Sequence, residues 1–400
     1  MVPGSTRAGH LVQRPAGHFT FEPEALPPRG LVLSGAIYRT LSEADQAMGF
    51  LHGQVQSKPA AGSLLDLVCQ QEAVASCQLE GSAVTLRDLL WWEFDGSRAQ
   101  GLRCSRGDLR VCANYAALLR EVPDVTTDSK TDPKAAPTVG ATPVLRRSLS
   151  HLHGQLFRGV RGRDAQPGQI RTSEIWLGPR GSTLQTAHFV PPAPEHIPKH
   201  LSRLIAFATE DADLPPLARV AMISWQLETI HPFVDGSGRV TRLTLVRLLE
   251  ETHGAAAKLL CPSLLLAKDL GEHFRRLQSV RHQGDWEGWL LHFGNLLRDS
   301  ARAGSLALTE RDAVLREHQE QILREQSTVR DTAMTLLQHL TSHPIVSVQR
   351  VAELCERTFA NANLLVARLE ALGILDEITG RQRHRRYVYK PFVALLKNPQ

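Results

Sequence analysis

Hydrophobic positions along this chain recur mostly at intervals of three and four residues, which is the spacing of an amphipathic α-helix. Leucine- and alanine-rich runs with this spacing dominate, and stretches that alternate apolar and polar residues are few. Two such stretches, 174–177 and 185–190, have Gly178 and Gly181 between them and predict a β-hairpin. The pattern predicts a mainly α-helical fold, with helices at 63–79, 197–209, 214–230, 240–249 and 265–281.

Shifts in composition divide the chain into six regions. We predict an extended N-terminal tail at 1–30, an N-terminal helical region at 31–122, a flexible linker or loop at 123–143, a helical core at 144–303, a connecting helix at 304–327 and a separate domain at 328–400. The linker prediction rests on residues 125–142, which are rich in Thr, Asp, Lys, Pro and Gly and offer little to bury.

The composition excludes several classes of protein. No apolar run reaches the length of about eighteen residues that a membrane span needs, and the first residues lack the apolar segment of a signal peptide. The net charge of +5 admits an acidic ligand without requiring one. We therefore expect a cytoplasmic protein with no membrane partner, and the spacing of the cysteines is typical of reduced thiols: Cys69, Cys77, Cys104, Cys112, Cys261 and Cys355.

The candidate chemistry is concentrated in residues 231–242, which read HPFVDGSGRVTR. An apolar run ends at His231, where Pro232 removes a backbone donor and stops a helix. Gly236 and Gly238 permit backbone conformations that are closed to other residues, and a new apolar run follows directly. The turn should therefore be a helix N-terminus, whose free amides and positive dipole end form an anion site.

Four side chains in this stretch fit phosphate chemistry. Arg239 and Arg242 offer planar donors to phosphate oxygens, and Asp235 offers a carboxylate to a divalent metal. His231 is the nearby group able to accept a proton at neutral pH. Each feature alone has an ordinary interpretation as a helix end, a turn or a solvated arginine. Their combination in one short stretch favours nucleotide chemistry on an incoming hydroxyl.

This stretch resembles the signature of the Fic family, His-Pro-Phe-x-Asp/Glu-Gly-Asn-Gly-Arg-x-x-Arg, at every fixed position except Ser237, where the family usually has Asn. The resemblance implies a helical bundle that transfers AMP from ATP to a Ser, Thr or Tyr hydroxyl of a target protein, or of the enzyme itself. It implies that His231 is the catalytic base and that Asp235 holds Mg²⁺. ATP would be bound by Gly236, Ser237, Gly238, Arg239, Val240, Thr241 and Arg242. Because serine is shorter and has one hydrogen to donate, we expect reduced or altered activity.

A second motif, Ser-Cys-Gln-Leu-Glu-Gly at 76–81, lies at the end of the predicted helix 63–79. From the residues alone, Glu80 is a solvated carboxylate near a helix end. The run resembles the inhibitory motif Ser/Thr-x-x-x-Glu-Gly/Asn of the Fic family, which implies that Ser76 and Glu80 belong to an inhibitory helix. By this resemblance Glu80 would pair with Arg242 and withhold that arginine from the γ-phosphate of ATP.

Two further features resemble the family. A Pro-Gly-x-x-Arg run at 167–171 precedes the predicted hairpin, which would be the family's flap. Its residues Phe189, Val190 and Pro191 would bind the target segment by strand addition, while the residues alone allow a simple cover for the bundle. Phe274 lies where relatives often carry an aromatic residue near the adenine, and core packing is the alternative.

The last region, 328–400, resembles a winged helix-turn-helix domain in its order of three helices and two strands. The loop between the strands predicted at 374–378 and 387–389 carries a basic cluster, Arg381, Arg383, His384, Arg385 and Arg386. Such a cluster can contact the phosphates of DNA. Alternatively, the domain docks a protein or forms a homodimer with a solvated loop.

The sequence thus leads to three functional hypotheses. The first is an ATP- and Mg²⁺-dependent protein adenylyltransferase that is autoinhibited by Glu80. The second is a DNA-binding regulator whose Fic core senses nucleotide or transfers AMP weakly. The third is a hydrolase that removes AMP, with Glu80 positioning a water molecule.

Overall fold

The computed structural model describes residues 6–58, 62–96, 99, 102, 104–121, 149–160, 166–209, 213–324 and 329–395. The linker or loop predicted at 123–143 lies outside these residues. Helices dominate the described part, which confirms the predicted mainly α-helical fold. None of the described helices combines the length and the apolar character that crossing a bilayer requires.

Two short strands lead into a long series of helices, and a small sheet lies near the C-terminal end. The first elements are β1 (Gly9–Gln13), β2 (Phe19–Pro23), α1 (Gly35–Ser57), α2 (Gly62–Leu79), α3 (Leu86–Asp95), α4 (Arg106–Arg120) and α5 (Leu149–Leu156). The core continues with α6 (Ile197–Thr209), α7 (Pro216–Ile230), α8 (Ser237–His253), α9 (Pro262–Lys268), α10 (Leu270–Gln283) and α11 (Trp286–Arg324). The last elements are α12 (Arg330–Ser342), β3 (Ile345–Val346), α13 (Val348–Leu354), α14 (Phe359–Ala371), β4 (Asp376–Glu377), β5 (Tyr387–Val388) and α15 (Lys390–Ala394).

Helices α7 and α8 form the centre of the core. Both are buried on nearly every side rather than along one stripe, as expected for helices enclosed by others. Trp225 of α7 packs edge-on against Trp286 of α11, with ring centroids 4.6 Å apart, and its Nε1 donates to the Leu277 carbonyl at 3.3 Å. Because the indole N–H is satisfied, this large side chain can be fully buried. The turn between α7 and α8 is therefore held by a close-packed interior.

Residues 9–23 of the segment predicted as an extended tail form a hairpin. Strands β1 and β2 pair antiparallel, with Leu11 opposite Phe21. Phe21 is buried, and its ring lies 6.1 Å from that of Phe189 and 6.4 Å from that of Trp225. The pairing of these strands was not predicted, because the order of so short a strand depends on residues far away in the sequence.

The predicted hairpin of the flap, which we define as residues 174–191, is reduced to one antiparallel bridge between Leu177 and Phe189. These residues exchange two backbone hydrogen bonds with N···O distances of 2.8 and 3.1 Å. Pairing does not extend further because the connecting residues bond to one another; the Ser182 N–H, for example, donates to the Pro179 carbonyl at 3.0 Å. The flap is therefore mostly turn and coil rather than two full strands.

Helix α11 runs unbroken from Trp286 to Arg324, so the last core helix and the connecting helix predicted at 304–327 are one element. Leu308 and Ile322 are buried, which continues the apolar stripe across the expected boundary. At Gly304 an added Cβ would come within 2.8 Å of a carbonyl oxygen of the preceding core segment. The glycine at the expected boundary is therefore a position of close packing.

The C-terminal module, residues 329–395, contains four helices, α12 to α15, and a three-stranded sheet in the order β3-β5-β4. Three of the helices and the strands β4 and β5 correspond to predicted elements, whereas β3 and α15 were not predicted. The identification of the module as a winged helix stays a prediction. The Tyr389 hydroxyl lies 2.7 Å from Nδ1 of His318 on α11, which joins the module to the long helix.

Arg386 of the predicted basic cluster is used inside the molecule. Its guanidinium binds both carboxylate oxygens of Asp95 on α3, at 2.9 and 2.8 Å, and lies 5.4 Å from the centroid of the Phe94 ring. Arg87 of the same helix donates to the Ile378 carbonyl. Arg386 is thus used in an intramolecular ion pair. It is therefore not available to contact DNA phosphates, and the predicted basic cluster loses one of its members.

Candidate active site

The turn between α7 and α8 is shaped by His231 and by an arginine that crosses beside it. His231 follows α7 in a left-handed conformation (φ 45°), and its N–H donates to the Leu227 carbonyl at 3.0 Å. Buried Arg171 donates to the carbonyls of His231 and Pro192 at 2.8 and 2.6 Å. Carbonyls at a helix end lack intrahelical partners, so this guanidinium satisfies them and joins the turn to the end of the flap.

His153 of α5 supports the turn from another side. Its ring stacks on Phe233, with centroids 4.0 Å apart and 7° between the planes. The Gly168 N–H donates to Nδ1 at 2.8 Å, so Nε2 carries the proton and donates to the Asp235 carbonyl at 2.9 Å. Burial lowers the pKa of His153, which favours this neutral form. The sequence analysis missed His153 because no motif surrounds it.

The start of α8 has the properties of an anion site. Gly236 takes φ 83° at the N-cap, and a Cβ there would overlap the Phe157 ring. Among the described residues no side chain caps this helix, so the amides of its first turn face the site without a side-chain acceptor at the cap. At Gly238 a Cβ would overlap the Glu80 carboxylate, so glycine is needed for an anionic group to approach.

Ser237, the residue that departs from the family signature, uses its hydroxyl within the turn. The Phe233 N–H donates to Oγ at 2.9 Å, and the hydroxyl hydrogen is directed to the Phe233 carbonyl at 3.1 Å. The residue is 2% exposed. Because a hydroxyl has one hydrogen to give, it is not available to a phosphate in this arrangement. The side chain shapes the turn in this structure, and the predicted contact of Ser237 with ATP stays a prediction.

Replacing Ser237 with alanine is expected to lower the free energy of unfolding by about 1–3 kcal/mol, because the buried Phe233 N–H loses its acceptor. Thermal or denaturant unfolding followed by circular dichroism measures the change. Ser202→Ala is the matched control, since the exposed Ser202 hydroxyl bonds only to the Pro198 carbonyl of its own helix. Equally small losses in both variants would contradict a stabilising role for the Ser237 hydroxyl.

Arg239 is buried and pairs with Asp235, four residues earlier. Its guanidinium carbon lies 5.2 Å from the centroid of the Phe157 ring. Within the part of the chain that the structure describes, Nε of Arg239 is buried without a hydrogen-bond partner. Because an unpaired buried donor costs free energy, this atom would gain from a hydrogen bond to an oxygen of an anionic ligand.

Asp235 is the carboxylate predicted to hold Mg²⁺. Arg239 engages one of its oxygens, and the side chain is 35% exposed. The described residues contain no group of three or more His, Cys, Asp or Glu side chains arranged to hold a metal ion. Mg²⁺ is commonly bound by one or two carboxylates together with water and substrate phosphates. The residues present therefore fit Mg²⁺ when a nucleotide supplies the remaining oxygen ligands.

The structure brings Glu80 and Arg242 together. Nη2 of Arg242 lies 2.6 Å from Oε1 of Glu80, and the same guanidinium donates to the hydroxyl and the carbonyl of Ser76 at 2.8 and 3.0 Å. Burial alone would raise the pKa of Glu80, but the charge of Arg242 outweighs this effect and holds the pKa below its usual range. Both partners are therefore charged at neutral pH, and the end of α2 occupies the donors of Arg242.

His231 is half-buried, and among the described residues its Nδ1 is a buried atom without a hydrogen-bond partner. Burial lowers the pKa of His231 to about 4; the charge of Glu80 opposes this shift, and Arg171 and Arg281 reinforce it. The imidazole is neutral at pH 7 and can accept a proton. Its position beside the start of α8 places a base next to the anion site.

Two residues predicted to bind ATP face away from the site. The Val240 side chain is buried in the core, and its N–H donates to the Gly236 carbonyl at 2.9 Å. The Thr241 hydroxyl donates to the Ser237 carbonyl at 3.0 Å. Both side chains are thus used within the protein, and their predicted contact with ATP stays a prediction.

Phe274, the predicted adenine-stacking residue, is 55% exposed on α10. Its neighbour His273 is held inside, 5.5 Å from the Trp289 ring and 3.3 Å from Nε2 of His292. Burial and the nearby cations His292, Arg242 and Arg281 lower the pKa of His273 to about 3. The exposure of Phe274 argues against the alternative of core packing, and the contact with adenine stays a prediction.

The three predicted target-binding residues of the flap, Phe189, Val190 and Pro191, are buried at its base. The Phe189 backbone is paired with Leu177, and the Val190 carbonyl accepts from the Phe21 N–H at 3.0 Å. Strand β2 therefore occupies the edge that was expected to receive the target. The exposed part of the flap lies further out, as the 43% exposure of Trp176 shows.

Glu22 of β2 fixes the base of the flap to α6. Its carboxylate accepts from the Ala193 N–H at 3.2 Å and lies 2.8 Å from Nε2 of His200 and 3.0 Å from Nδ1 of His196. Burial raises the pKa of Glu22, but the hydrogen bonds from His200 and His196 outweigh burial and hold the pKa at about 2. The carboxylate is therefore ionised at neutral pH and ties three elements together.

Two charged residues near the turn, half-buried Glu228 and buried Arg281, were not predicted. Glu228 lies one helical turn before His231, and burial raises its pKa. Arg281 of α10 lies over the Phe189 ring, 3.5 Å from its centroid, and is 3.3 Å from the Thr229 hydroxyl. The spacing of three residues from His231 was a usable signal for Glu228, because residues three apart share a helix face. Arg281 had no local signal.

Comparison with known proteins agrees with this geometry. The Fic/DOC family profile matches residues 143–249, and the Fic/DOC family N-terminal profile matches residues 38–122. The chain is 31% identical over 96 residues to proteins named protein adenylyltransferase fic-1 from Caenorhabditis briggsae and Caenorhabditis elegans. That stretch covers 23% of this chain and only 17% of each relative.

A solved structure supports the fold. A Fic family protein from Desulfovibrio desulfuricans G20 aligns over 90% of this chain and 97% of its own, with a TM-score of 0.53 and 18% sequence identity. The helical fold and the motif at the start of α8 define the class of Fic-domain proteins. Residues 143–249 thus form a Fic/DOC family domain, and residues 38–122 form the N-terminal region that this family carries.

Proposed function

We propose that this protein is a protein adenylyltransferase, which moves AMP from ATP to a hydroxyl of a target protein or of its own chain. The proposal rests mainly on one observation: a neutral base, His231, lies beside the start of α8, which carries Arg239 and Arg242. The similarity of a quarter of the chain to two protein adenylyltransferases supports the same class of reaction.

In this proposal His231 accepts the proton of the target hydroxyl. The hydroxyl oxygen forms a bond to the α-phosphorus of ATP, the bond from that phosphorus to the bridging oxygen breaks, and pyrophosphate leaves. The amides at the start of α8 and the guanidinium of Arg239 hold the phosphates while negative charge redistributes. The unpaired Nε of Arg239 is a donor ready for this role.

Asp235 would hold Mg²⁺ together with oxygens of the nucleotide, because it is the partly exposed carboxylate of the turn. When bound, the metal ion screens phosphate charge and favours departure of pyrophosphate. The bond between Asp235 and Arg239 keeps the carboxylate at the start of α8. The protein thus contributes one oriented oxygen ligand to the metal.

Autoinhibition by Glu80 follows from its contact with Arg242. The carboxylate lies against Gly238, where a phosphate would be held, and it accepts a hydrogen bond from Arg242. It therefore blocks this position and neutralises the positive charge that would bind a phosphate. The hydroxyl and the carbonyl of Ser76 accept from Nε and Nη2 of the same guanidinium, at 2.8 and 3.0 Å. A nucleotide that binds beside this pair would be held without the help of Arg242.

The N-terminal hairpin should affect target modification through the flap. Replacing Glu22 with alanine is expected to raise the KM for a target protein several-fold and to leave the affinity for ATP unchanged, because Glu22 fixes the base of the flap and does not touch the turn. Steady-state transfer assays on the Glu80→Gly background measure both constants. Glu24→Ala is the control, because Glu24 is an exposed neighbour; equal effects of the two changes would contradict this role.

The direct test of the proposed function is transfer of label. Purified protein, alone and with cell lysate, is incubated with Mg²⁺ and ATP labelled on the α-phosphate, and labelled bands are identified. The proposal expects covalent label that survives denaturation. Label from γ-labelled ATP instead would indicate phosphate transfer and would contradict it.

Removal of AMP is a second candidate because one observation favours it. The side chain of Glu80 is 32% exposed while it is paired with Arg242, so its free oxygen can meet solvent. Such a carboxylate could orient a water molecule toward a bound AMP-protein. Release of AMP by the wild type from a target modified by Glu80→Gly would distinguish this activity from simple autoinhibition.

A further inference from the structure

A cleft of about 1030 Å³ separates the N-terminal helices from the C-terminal module. We call it the interface cleft. Its walls include Gln70 of α2, Phe94 of α3, His339 of α12, Phe359 of α14 and Arg383 of the loop between β4 and β5. The volume is at the upper end of the range of about 300–1,000 Å³ for small-molecule sites, which commonly occur between domains. The cleft is distinct from the turn that bears His231.

The interface cleft carries excess positive charge. The three carboxylates that line it are paired within the protein: Glu93 with Arg120 at 3.0 Å, Asp95 with Arg386 at 2.8 Å, and Glu353 with Arg350 at 3.4 Å. Arg385 has a neutral partner, the Asn363 amide oxygen at 3.3 Å. In the region that the structure describes, neither Arg383 nor Arg385 lies within ion-pair distance of a carboxylate, so both guanidinium groups can bind an anion.

Flat rings line the same cleft. Phe359, at the start of α14, is 59% exposed, although a phenylalanine normally gains free energy by burial. His339 and His343 stack on each other with centroids 4.7 Å apart and 9° between their planes. Burial and the charges of His343 and Arg350 lower the pKa of His339 to about 4, so this ring is neutral at pH 7. Aromatic faces beside guanidinium groups suit a ligand with both a base and a phosphate.

We propose that the interface cleft binds nucleotide units, with the phosphate on Arg383 and Arg385 and the base against Phe359 or the paired imidazoles. A free nucleotide and a single-stranded nucleic acid share this chemistry. An intact duplex does not, because its bases are stacked on each other and cannot meet the rings. The proposal does not depend on AMP transfer, because it concerns a different cleft and its readout is binding.

Full-length protein is titrated with a short oligothymidylate, with a duplex of the same length and with ADP, at low and at physiological salt. Because the α7–α8 turn is also proposed to hold a nucleotide, the ADP titration is compared by the number of sites as well as by affinity. The double variant Arg383→Ala/Arg385→Ala should bind ADP or the single strand at least about tenfold more weakly than wild type, because two charge-assisted contacts are lost. Arg381→Ala is the matched control, since Arg381 is an exposed arginine of the same loop that does not line the cleft. Its binding should match the wild type.

A second variant keeps the test decisive if the double variant folds poorly. Phe359→Ala removes an exposed ring and no core contact, and it should weaken binding of the same probes several-fold without changing Tm. Tighter binding of the oligothymidylate than of ADP would identify the single strand as the source. Unchanged binding in both variants, an equal loss in Arg381→Ala, or preference for the duplex would overturn the proposal.

Discussion

Replacing Glu80 with glycine is expected to raise transfer of AMP by roughly ten- to a hundredfold. Glu80 makes a charge-assisted contact with Arg242 at 2.6 Å and lies against Gly238, where a phosphate of ATP would be held. Such contacts contribute about 1.5–3 kcal/mol, and each 1.4 kcal/mol is a factor of about ten in occupancy. The measurement is the initial rate of label incorporation from α-labelled ATP with Mg²⁺.

Two companion variants separate charge from shape. Glu80→Gln keeps the size of the side chain and removes its charge, so it should release part of the inhibition. Ser76→Ala removes one acceptor of Arg242, at 2.8 Å, but leaves the ion pair, so it should release less. If Glu80→Gly transferred no more AMP than the wild type, the inhibitory role of this contact would be wrong, whatever the basal activity.

Replacing His231 with alanine on the Glu80→Gly background is expected to lower the rate of transfer by about 10²–10⁴-fold, the usual contribution of a general base. Affinity for ATP should change little, because Arg239, Arg242 and the start of α8 remain. Calorimetric titration with a non-hydrolysable ATP analogue checks the affinity, and the labelling assay checks the rate. A rate within a few-fold of the parent would show that another group takes the proton.

The pH dependence gives a further check on His231. Burial sets its pKa at about 4, and Glu80 opposes that shift, so removing Glu80 lowers the pKa further. A base acts in its unprotonated form, which is present at pH values above its pKa. Transfer by Glu80→Gly should therefore be nearly constant between about pH 6 and 8, as far as this imidazole is concerned. A rate that fell steeply as the pH dropped through about 6.5 would indicate a solvent-exposed histidine instead.

The helices around the turn could be predicted because their signals are local. Pro232 follows the end of α7, and Gly236 precedes the start of α8, as the apolar runs on either side indicate. The contact between Glu80 and Arg242 joins residues that are 162 positions apart. No local pattern contains such a contact, and its prediction came from the resemblance to the family alone.

Several features could not be read from the sequence because tertiary packing decides them. Phe21 belongs to a strand of five residues whose burial against Phe189 and Trp225 depends on distant elements. The Ser237 hydroxyl could equally have faced the nucleotide, and only the backbone of the turn shows that it bonds to Phe233. Arg386 belongs to a run of basic residues, but a buried carboxylate on α3 removes it from the surface.

The most direct test of the central claim compares Glu80→Gly with the double variant Glu80→Gly/His231→Ala, each incubated with α-labelled ATP and Mg²⁺. Covalent label should accumulate in Glu80→Gly and be nearly absent from the double variant. Arg242 is released from Glu80 in both proteins, but the base His231 is present only in Glu80→Gly. Equal labelling of the two proteins, or no labelling of either at any target concentration, would contradict the assignment of the α7–α8 turn as a site of AMP transfer.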